Sequence, residues 1–265
     1  MNIVFLTGSH KRHAYFARKV AETGKLAGLV VEDRREAIPE PPKGIPHATR
    51  ELFVKHFEER DDAELRFFGN GDLPSDIPTI HTTQNEINNN EVLDFIAYHQ
   101  PDLLLSYGVH KLSSGLLDSL PGEAWNVHGG LSPWYRGAIT HFWPQYLLEP
   151  QMTGMTVHDL TDEIDGGGII HQNAAPMVRG DGVHDGACRA VQGCAEELPK
   201  LFNFLEDPYR MLPRKYSKTT GRIWRGSDWR PEHLHVIYNQ FHNRIIDAYL
   251  DGFLNTTPPI LHRQF

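Results

Sequence analysis

Asn126 and His128 stand at the end of a predicted strand, at a spacing that lets the two side chains act together. They follow the apolar stretch that begins at Ala124, and Gly129 and Gly130 interrupt the pattern. Residues two apart in a strand point to the same side, so both side chains would reach one cavity. An asparagine amide can donate a hydrogen bond to a developing oxyanion, and a histidine changes its charge near neutral pH. On its own, however, an Asn-x-His pair is usually structural.

A third polar residue, Asp165, lies on a loop rich in glycine. It is followed by three glycines and separates two predicted strands, 155–160 and 168–172. Because glycine frees the backbone, such a loop places its acid by backbone geometry rather than by helix packing. Beside His128, the carboxylate would keep the ring charged or accept, through water, a proton from an attacking amine.

The chain around these residues alternates short apolar strands with helical patterns. The predicted strands are 3–6, 26–31, 103–105 and 124–128, and the predicted helices are 15–23, 85–99, 113–119 and 183–205. This alternation is typical of the α/β class: an open, mostly parallel, twisted, Rossmann-like sheet with helices on both faces. Open sheets of this kind place their active sites at the carboxyl ends of the strands, where Asn126 and His128 stand.

Two segments fall outside this core pattern. Residues 50–68 carry apolar residues at helical spacing among many charges, and we interpret them as an inserted surface helix, solvated outside and anchored by aromatics. Near Asp207 the composition changes, which divides the chain into a catalytic domain, 1–206, and a small α+β extension, 207–265. In the extension we predict a strand at 221–225 and a helix at 231–250. Residues 260–265 are predicted to form either an edge strand or a dimer contact, so a homodimer is possible.

The composition narrows the class of protein. Of the 265 residues, 40% are hydrophobic and 23% are charged, as in ordinary globular enzymes. A formal net charge of -8 argues against nucleic acid as a partner, because such affinity comes mainly from Lys and Arg. No apolar run is long enough for a membrane span and the N-terminus lacks the basic region of a secretion signal, so we expect a cytoplasmic protein without a membrane partner.

Sixteen histidines and two cysteines raise the question of a metal site. The sequence has neither His-Glu-x-x-His nor Cys-x-x-Cys, and its histidines are scattered, so we expect no metal. Cys188 and Cys194 lie six residues apart in a predicted helix, on different faces, and are expected to be free thiols.

The turn after the first strand contains one glycine, Gly8, and several basic residues. A dinucleotide site would need Gly-x-Gly-x-x-Gly there, so a Rossmann cofactor is not expected. Lys11 and Arg12 either hold a phosphate of the substrate at a helix N-terminus or are solvated residues of a turn.

Four spaced motifs in a fixed order resemble the folate-dependent formyltransferase family. The family includes glycinamide ribonucleotide formyltransferase, the catalytic domain of methionyl-tRNA formyltransferase and the N-formyltransferases of nucleotide-linked amino sugars. The likeness spans about residues 1–205 and is sharpest from 107 to 172. The motifs are Asn126-x-His128, Leu131-x-Pro133-x-Tyr135-Arg136-Gly137, Gly154-x-Thr156-x-His158 and Asp165-x-Gly167-x-Ile169.

The resemblance implies a site and a co-substrate. Asn126 and protonated His128 would hold the oxyanion of formyl transfer, and Asp165 would keep His128 charged and relay the amine proton. Thr156 and His158 would support them. The implied co-substrate is 10-formyltetrahydrofolate, and no metal is required. Its pterin ring would lie between two loops, whose matching residues are Tyr107, Gly108, Val109, His110 and Leu112 on one and Asp162 and Ile164 on the other.

The acceptor implied by the resemblance is a small-molecule amine. The glycine loop of purine enzymes is missing at Gly8, and the chain after residue 205 is too short for the β-barrel of tRNA formylation. By elimination we prefer a nucleotide-linked amino sugar for surface polysaccharide synthesis. Alternatives are glycinamide ribonucleotide or methionyl-tRNA-type formylation, formyltetrahydrofolate hydrolysis, a metal-dependent hydrolase and a non-catalytic folate-binding protein. The residues assigned to the acceptor are Lys11, Arg12, Tyr135, Arg136 and Trp224, the last either stacking on a base or only packing.

Overall fold

The computed structural model describes residues 1–33, 38–118, 122–217 and 222–265, and its centre is a sheet of seven strands. The predicted helix 113–119 and the predicted strand 221–225 each extend outside the described ranges at one end. The strands are β1 (Ile3–Gly8), β2 (Leu26–Glu32), β3 (Thr79–Thr82), β4 (Leu103–Tyr107), β5 (Glu123–His128), β6 (Tyr135–Gly137), β7 (Gly154–Asp159), β8 (Ile169–Ala174) and β9 (Arg222–Trp224). The large sheet has the order β3-β2-β1-β4-β5-β7-β8, and β6 pairs with β9.

Most of the large sheet is parallel, which confirms the predicted fold class. The pairs β1–β2, β1–β4, β2–β3 and β4–β5 are parallel, whereas β7 runs antiparallel to β5 and β8. The loop 160–168 that joins β7 to β8 is too short for the crossover that a parallel pair needs. The strand order reverses beside β1, so a crevice is expected at the carboxyl ends of β1 and β4.

Helices cover both faces of the sheet. In β1, Ile3 and Phe5 pack into one apolar cluster, and Val4 and Leu6 pack into another on the opposite face; all four are fully buried. Burial on both faces is why such a strand is a continuous apolar run in the sequence. No helix in the described part of the chain is long and apolar enough to cross a membrane. The helices are α1 (Lys11–Ala21), α2 (His47–Phe68), α3 (Asn90–His99), α4 (Ser114–Asp118), α5 (Phe142–Tyr146), α6 (Val183–Glu206) and α7 (Ile245–Leu250).

The helix α2 is longer than predicted and has a charged inner face. The sequence pattern predicted a surface helix at 50–68, whereas α2 begins at His47 and packs against α1 and α6. Phe53 and Glu64 are buried on its inner face. The buried charge is neutralised, since Glu64 forms an ion pair with Arg12 of α1. The predicted helix, solvated outside and anchored by its aromatics, is present, with Phe53 and Phe68 buried. Its buried charges were not predicted, because pairing between two helices is not visible in the spacing of one.

The predicted helix at 231–250 was wrong as one element. It divides into a 3-10 turn (Pro231–His233), a π-helical turn (Val236–Gln240) and α7. Before α7, Asn243 has a φ of 57°, a left-handed conformation that asparagine tolerates and that ends a right-handed helix. There its side-chain oxygen accepts the Val183 N–H at 2.9 Å, so the break caps the start of α6.

The C-terminal extension packs on the rest of the chain. Leu234 shares an apolar cluster with Trp143 of α5. Beyond α7 the chain runs beside the edge strand β8 of the same molecule, where the Gln172 N–H donates to the His262 carbonyl at 2.8 Å. The division after residue 206 and a homodimer stay predictions.

Candidate active site

A cavity of about 930 Å³ lies at the carboxyl ends of the central strands. Its wall combines the ends of β4 and β5 with the loops 107–112 and 160–165, the start of α1, the inner face of α2 and residues 137–142. Ligand pockets typically measure about 300–1,000 Å³. The cavity is therefore large enough to hold the reacting parts of two small molecules together.

Asn126 lies in a row of polar side chains that crosses three strands. Ser106 of β4 and His158 of β7 are its neighbours in the register of the sheet. Ser106 Oγ donates to Asn126 Oδ1 at 2.8 Å, which turns the amide nitrogen toward His158 Nε2 at 3.1 Å. The second amide N–H faces Asp165 Oδ1 across 3.5 Å, a weak contact that an oxyanion can replace.

His128 is buried, and both of its ring nitrogens face oxygens of the protein. Nε2 donates to the Tyr135 carbonyl at 2.7 Å, and Nδ1 lies 3.3 Å from Asp165 Oδ1. Burial lowers the pKa of His128, and the Asp165 charge and the Tyr135 carbonyl oppose that shift. The sequence predicted that His128 donates to an oxyanion. In the structure both ring nitrogens face oxygens of the protein, because the loop after β5 folds back onto the ring. Donation by His128 or Asn126 to an oxyanion stays a prediction.

Asp165 is held from two sides. Oδ1 faces His128 and lies 3.6 Å from His158 Nε2, and Oδ2 accepts the Gly137 N–H at 2.8 Å. Burial alone would raise the pKa of Asp165, but these interactions hold it well below its usual range. The side chain is therefore a carboxylate at neutral pH. Its φ of 45° is left-handed, which aspartate tolerates better than most residues.

Thr156 stands opposite His128 in the register of β5 and β7 and supports the loop that follows β5. Its hydroxyl donates to the Gly130 carbonyl at 2.7 Å and accepts the Ser132 N–H at 3.0 Å. The side chain is fully buried and does not line the cavity. This position agrees with a supporting residue rather than a reacting one.

The residues assigned to the folate ring all line the cavity. Gly108 has a left-handed φ of 72°, and a Cβ there would lie 2.3 Å from His13 Nε2. Glycine is therefore required for the loop to approach His13 this closely. Folate binding itself stays a prediction for these residues. They are Tyr107, Gly108, Val109, His110, Leu112, Asp162 and Ile164.

Glu32, which no motif identified, anchors the 107–112 loop. It ends β2, is 0% exposed, and accepts the His110 backbone N–H at 2.8 Å and the His110 ring Nδ1–H at 2.6 Å. A buried carboxylate requires such partners. Nδ1 donates to Glu32, and His110 lines the cavity, where its other ring nitrogen, Nε2, can meet a polar group of a ligand. The signal in the sequence was a single acid closing the apolar strand Leu26–Glu32.

Of the residues assigned to the acceptor, Arg12 and Trp224 line the cavity, whereas Lys11, Tyr135 and Arg136 do not. Lys11 and Arg12 are consecutive on α1 and point in different directions, and only Arg12 lines the cavity. The other three side chains are held by groups of the protein: Lys11 by Asp61, Tyr135 by Glu149 and Arg136 by the Ile164 carbonyl.

Trp224 has both ring faces covered. The ring centre of Trp143 lies 4.2 Å away, and the guanidinium carbon of Arg222 lies 3.8 Å from the Trp224 ring centre. Two groups this close to one ring must lie on opposite faces. Of the two alternatives for Trp224, the structure therefore supports packing over stacking on a base.

The inner face of α2 supplies a part of the cavity that the sequence did not reveal. Phe57, Arg60 and Glu64 lie about one turn apart, His56 precedes Phe57 directly, and all four line the cavity. This spacing was visible in the sequence, but no motif marks it and its charges suggested a solvated face. Only the packing of α2 against α1 and α6 turns these residues inward.

Metal ligands do not cluster in the described ranges: no group of three or more His, Cys, Asp or Glu side chains there could hold an ion. Cys188 and Cys194 of α6 are buried and are not joined to each other.

Comparison with known proteins identifies the family. A family model described as Formyl transferase matches residues 41–192, more than half of the chain. The chain belongs to the formyl transferase family.

The curated relatives match this chain over part of their length. Phosphoribosylglycinamide formyltransferase of Escherichia coli is 34% identical over 98 residues, which are 36% of this chain and 45% of that protein. The bifunctional polymyxin resistance protein ArnA of Wigglesworthia glossinidia brevipalpis is 28% identical over 127 residues, which are 48% of this chain and 17% of that protein. The matched region thus spans less than half of either relative.

Solved structures share the fold. A sugar 3N-formyl transferase, determined in the presence of dTDP and 5-N-formyl-THF, superposes with a TM-score of 0.52 at 14% sequence identity. The match covers 87% of this chain and 72% of that chain. At this level of identity the likeness establishes the fold.

Proposed function

We propose that the protein transfers a formyl group from 10-formyltetrahydrofolate to a primary amine, and that this amine belongs to a nucleotide-linked amino sugar. The observation that carries the proposal is that Asn126 and Asp165 face each other across 3.5 Å in the wall of the cavity. The first donates to a developing negative charge, and the second accepts a departing proton. Acyl transfer to an amine needs both groups within reach of one carbon atom.

In the proposed reaction, the lone pair of a neutral amine attacks the formyl carbon, and the carbonyl electrons move to its oxygen. The Asn126 amide donates to that oxyanion. The nitrogen, now positively charged, loses a proton to Asp165, whose low pKa keeps it ionised until then. The carbonyl forms again as the folate nitrogen leaves and takes up the proton, giving a formamide and tetrahydrofolate.

His128 assists Asp165 in holding this proton. Its Nδ1 lies 3.3 Å from the carboxylate, and its Nε2 is fixed on the Tyr135 carbonyl. A proton taken up by Asp165 can therefore be shared with His128 Nδ1. This sharing stabilises the intermediate that forms after the amine has lost its proton.

The donor is proposed from the loops and from the family. The 107–112 loop presents backbone groups and His110 Nε2, which suit the polar edge of a pterin ring. The solved sugar 3N-formyl transferase, which shares the fold, was determined in the presence of 5-N-formyl-THF.

The acceptor is proposed from the volume of the cavity and from the same solved structure, which was determined with dTDP. Glycinamide ribonucleotide is the second candidate, favoured by the 34% identity to phosphoribosylglycinamide formyltransferase over 98 residues. The two candidate acceptors differ in that the amino-sugar nucleotide contains a nucleoside diphosphate and glycinamide ribonucleotide does not.

Replacing Glu32 with glutamine should weaken donor binding. The amide keeps the shape but cannot accept both His110 hydrogen bonds as a carboxylate does, and bonds to a charged group contribute about 1.5–3 kcal/mol each. We expect the KM for 10-formyltetrahydrofolate to rise about tenfold or more, with a smaller change in kcat. Asp33→Asn is the matched control, because Asp33 is exposed and pairs with His81. Equal KM values in the two variants would contradict an anchoring role for Glu32.

The proposed function is tested by offering one amine at a time with 10-formyltetrahydrofolate and following the folate absorbance. The amines are an amino-sugar nucleotide, glycinamide ribonucleotide and methionyl-tRNA, and one reaction has no amine. Turnover with the amino-sugar nucleotide alone is expected. Turnover without any amine would indicate a hydrolase. Turnover with glycinamide ribonucleotide and not with the amino-sugar nucleotide would contradict the proposed acceptor. Donor binding without turnover would indicate a non-catalytic protein.

A further inference from the structure

The guanidinium group of Arg136 holds the 160–168 loop immediately before Asp165. Its Nε–H donates to the Ile164 carbonyl oxygen at 2.9 Å, and its Nη2 donates to the same oxygen. Hydrogen bonds from an ionised donor are stronger than those between neutral groups. Gly166 leaves room for this contact, since a Cβ there would lie 2.9 Å from Arg136 Nη2. The held carbonyl belongs to the peptide group that joins Ile164 to Asp165, so Arg136 fixes the backbone at the residue that bears the carboxylate.

Neighbours of Arg136 in the chain hold Asp165 itself. The Gly137 N–H donates to Asp165 Oδ2 at 2.8 Å, and Ser132 Oγ donates to the Asp165 carbonyl at 3.3 Å. Asp165 needs such support because its φ of 45° is left-handed, a conformation that costs free energy for residues other than glycine. The segment 131–137 therefore determines where this carboxylate lies.

The direction of the Arg136 side chain is set by strand β6. Side chains alternate along a strand, and the preceding Tyr135 is buried, with its ring nearly parallel to that of Trp224 at a centre distance of 6.4 Å. Arg136 therefore points away from these rings and toward the 160–168 loop. Strand β9 of the C-terminal extension pairs with β6, and in that register Arg136 stands beside Ile223. The extension thus helps to direct Arg136 at the loop.

The charge of Arg136 acts on His128 as well. The titratable or charged groups around the His128 ring are Asp165, His158, His141 and Arg136. Burial lowers the pKa of His128, the Asp165 carboxylate opposes that shift, and Arg136 lowers the pKa further. Because arginine stays charged at every accessible pH, Arg136 always disfavours a proton on His128. A proton held between Asp165 and His128 is therefore more easily passed on to the leaving folate nitrogen.

We propose that Arg136 is a positioning residue for formyl transfer, which fixes the backbone at Asp165 so that the carboxylate faces the attacking amine. The inference rests on the proposed function and deepens it, because it gives a part in the reaction to a side chain that does not line the cavity. It replaces the contact with the acceptor that the family motif implied for Arg136, since the guanidinium is already engaged by the Ile164 carbonyl.

Arg136→Ala separates positioning from acceptor binding when kcat and KM are measured for both substrates. We expect kcat to fall about tenfold to a hundredfold, since a misplacement of about 1 Å can cost 10²-fold in rate. The KM for the amine should change by less than about twofold, because no binding contact is removed. Arg222→Ala is the matched control on the neighbouring strand, since Arg222 lies over the Trp224 ring and pairs with Asp228. Thermal unfolding verifies that each variant is folded.

Arg136→Lys and the pH dependence of kcat distinguish this role from a merely structural one. Lysine keeps the charge but loses the planar pair of donors, so kcat should stay below that of the wild type. The acid side of the kcat profile reports protonation of Asp165 and His128. Because Arg136 lowers the pKa of His128, that side should move to higher pH in Arg136→Ala and stay in place in Arg136→Lys. The pKa of His128, measured by NMR without substrates, should rise in Arg136→Ala alone.

The outcomes separate this inference from the proposed function. A raised KM for the amine with unchanged kcat would make Arg136 an acceptor ligand and overturn the inference. A lower kcat without any shift of the acid side or of the His128 pKa would show a structural role only and would overturn it too. If Arg136→Ala does not fold, a wild-type kcat in Arg136→Lys overturns the inference. A raised His128 pKa in Arg136→Ala, with no formyl transfer by the wild type to any amine, would overturn the proposed function and support the placement of Arg136.

Discussion

Asn126→Ala is expected to lower kcat/KM for formyl transfer by about 10²–10³, the usual effect of losing one oxyanion donor. The amide is oriented by Ser106, which donates to Oδ1, and one of its N–H groups is used by His158. The other faces Asp165 across a distance that leaves it available to the reacting oxygen. Alanine keeps the backbone of β5 and removes this donor, so the loss should appear mainly in kcat.

Two measurements distinguish catalysis from stability in this variant. Alanine leaves Ser106 and His158 without the partner they have in the wild type, and an unpaired buried polar group costs about 1–3 kcal/mol. Thermal unfolding must therefore show that the variant is folded at the assay temperature. Ser106→Ala is the graded control, expected to lose less activity because the amide remains. Turnover of Asn126→Ala close to that of the wild type would exclude Asn126 as the donor.

Asp165→Asn is expected to lower the rate by about 10²–10⁴, the range that a positioned proton acceptor typically contributes. Asparagine has the same shape, tolerates the left-handed φ of 45° and can still accept the Gly137 N–H. It cannot take up the amine proton, and it cannot attract a proton onto His128. The matched control is Glu163→Gln, an exposed acid of the same loop that also lines the cavity. Similar losses of rate in both variants would mean that activity falls when any charge is removed from this loop, and would contradict the role of Asp165 as the proton acceptor.

The same carboxylate should make the fold sensitive to acid. The pKa of Asp165 in the folded protein lies well below the unfolded value of about 3.9. Its stabilising contribution is therefore fully present above the unfolded pKa and is lost as the pH falls through that value toward the folded pKa. Unfolding free energies measured against pH should converge for the wild type and Asp165→Asn at low pH. A difference that stays constant down to strongly acidic pH would contradict the depressed pKa.

The elements that could be predicted from the sequence are those whose signal is local. The strand at 3–6 is a continuous apolar run because Val4 and Phe5 are buried on opposite faces of one sheet. Asn126 and His128 converge because side chains alternate along β5, and that geometry needs no knowledge of the rest of the fold. Asp165 joins them because β7 and β8 bring its loop back beside β5.

What the sequence did not reveal depends on contacts between distant segments. Arg60 and Glu64 face the cavity because α2 packs against α1, where Arg12 neutralises Glu64. The helical spacing of α2 has the same appearance whether its charged face meets water or another helix. Asn243 likewise breaks the last predicted helix because its side chain caps α6, sixty residues away along the chain. The contact of His128 Nε2 with the Tyr135 carbonyl depends on how the loop after β5 folds, and the spacing of residues in the sequence does not specify that fold.

The central claim is that the formyl carbon passes from folate to an amine beside Asn126 and Asp165. The most direct test is to supply 10-formyltetrahydrofolate with an isotope-labelled formyl group and an amino-sugar nucleotide, and to locate the label by mass spectrometry in wild type and Asp165→Asn. We predict a labelled formamide on the acceptor in the wild type and almost none in the variant. Label in free formate, label that stays on folate in the wild type, or equal labelling of the acceptor by both proteins would contradict the claim.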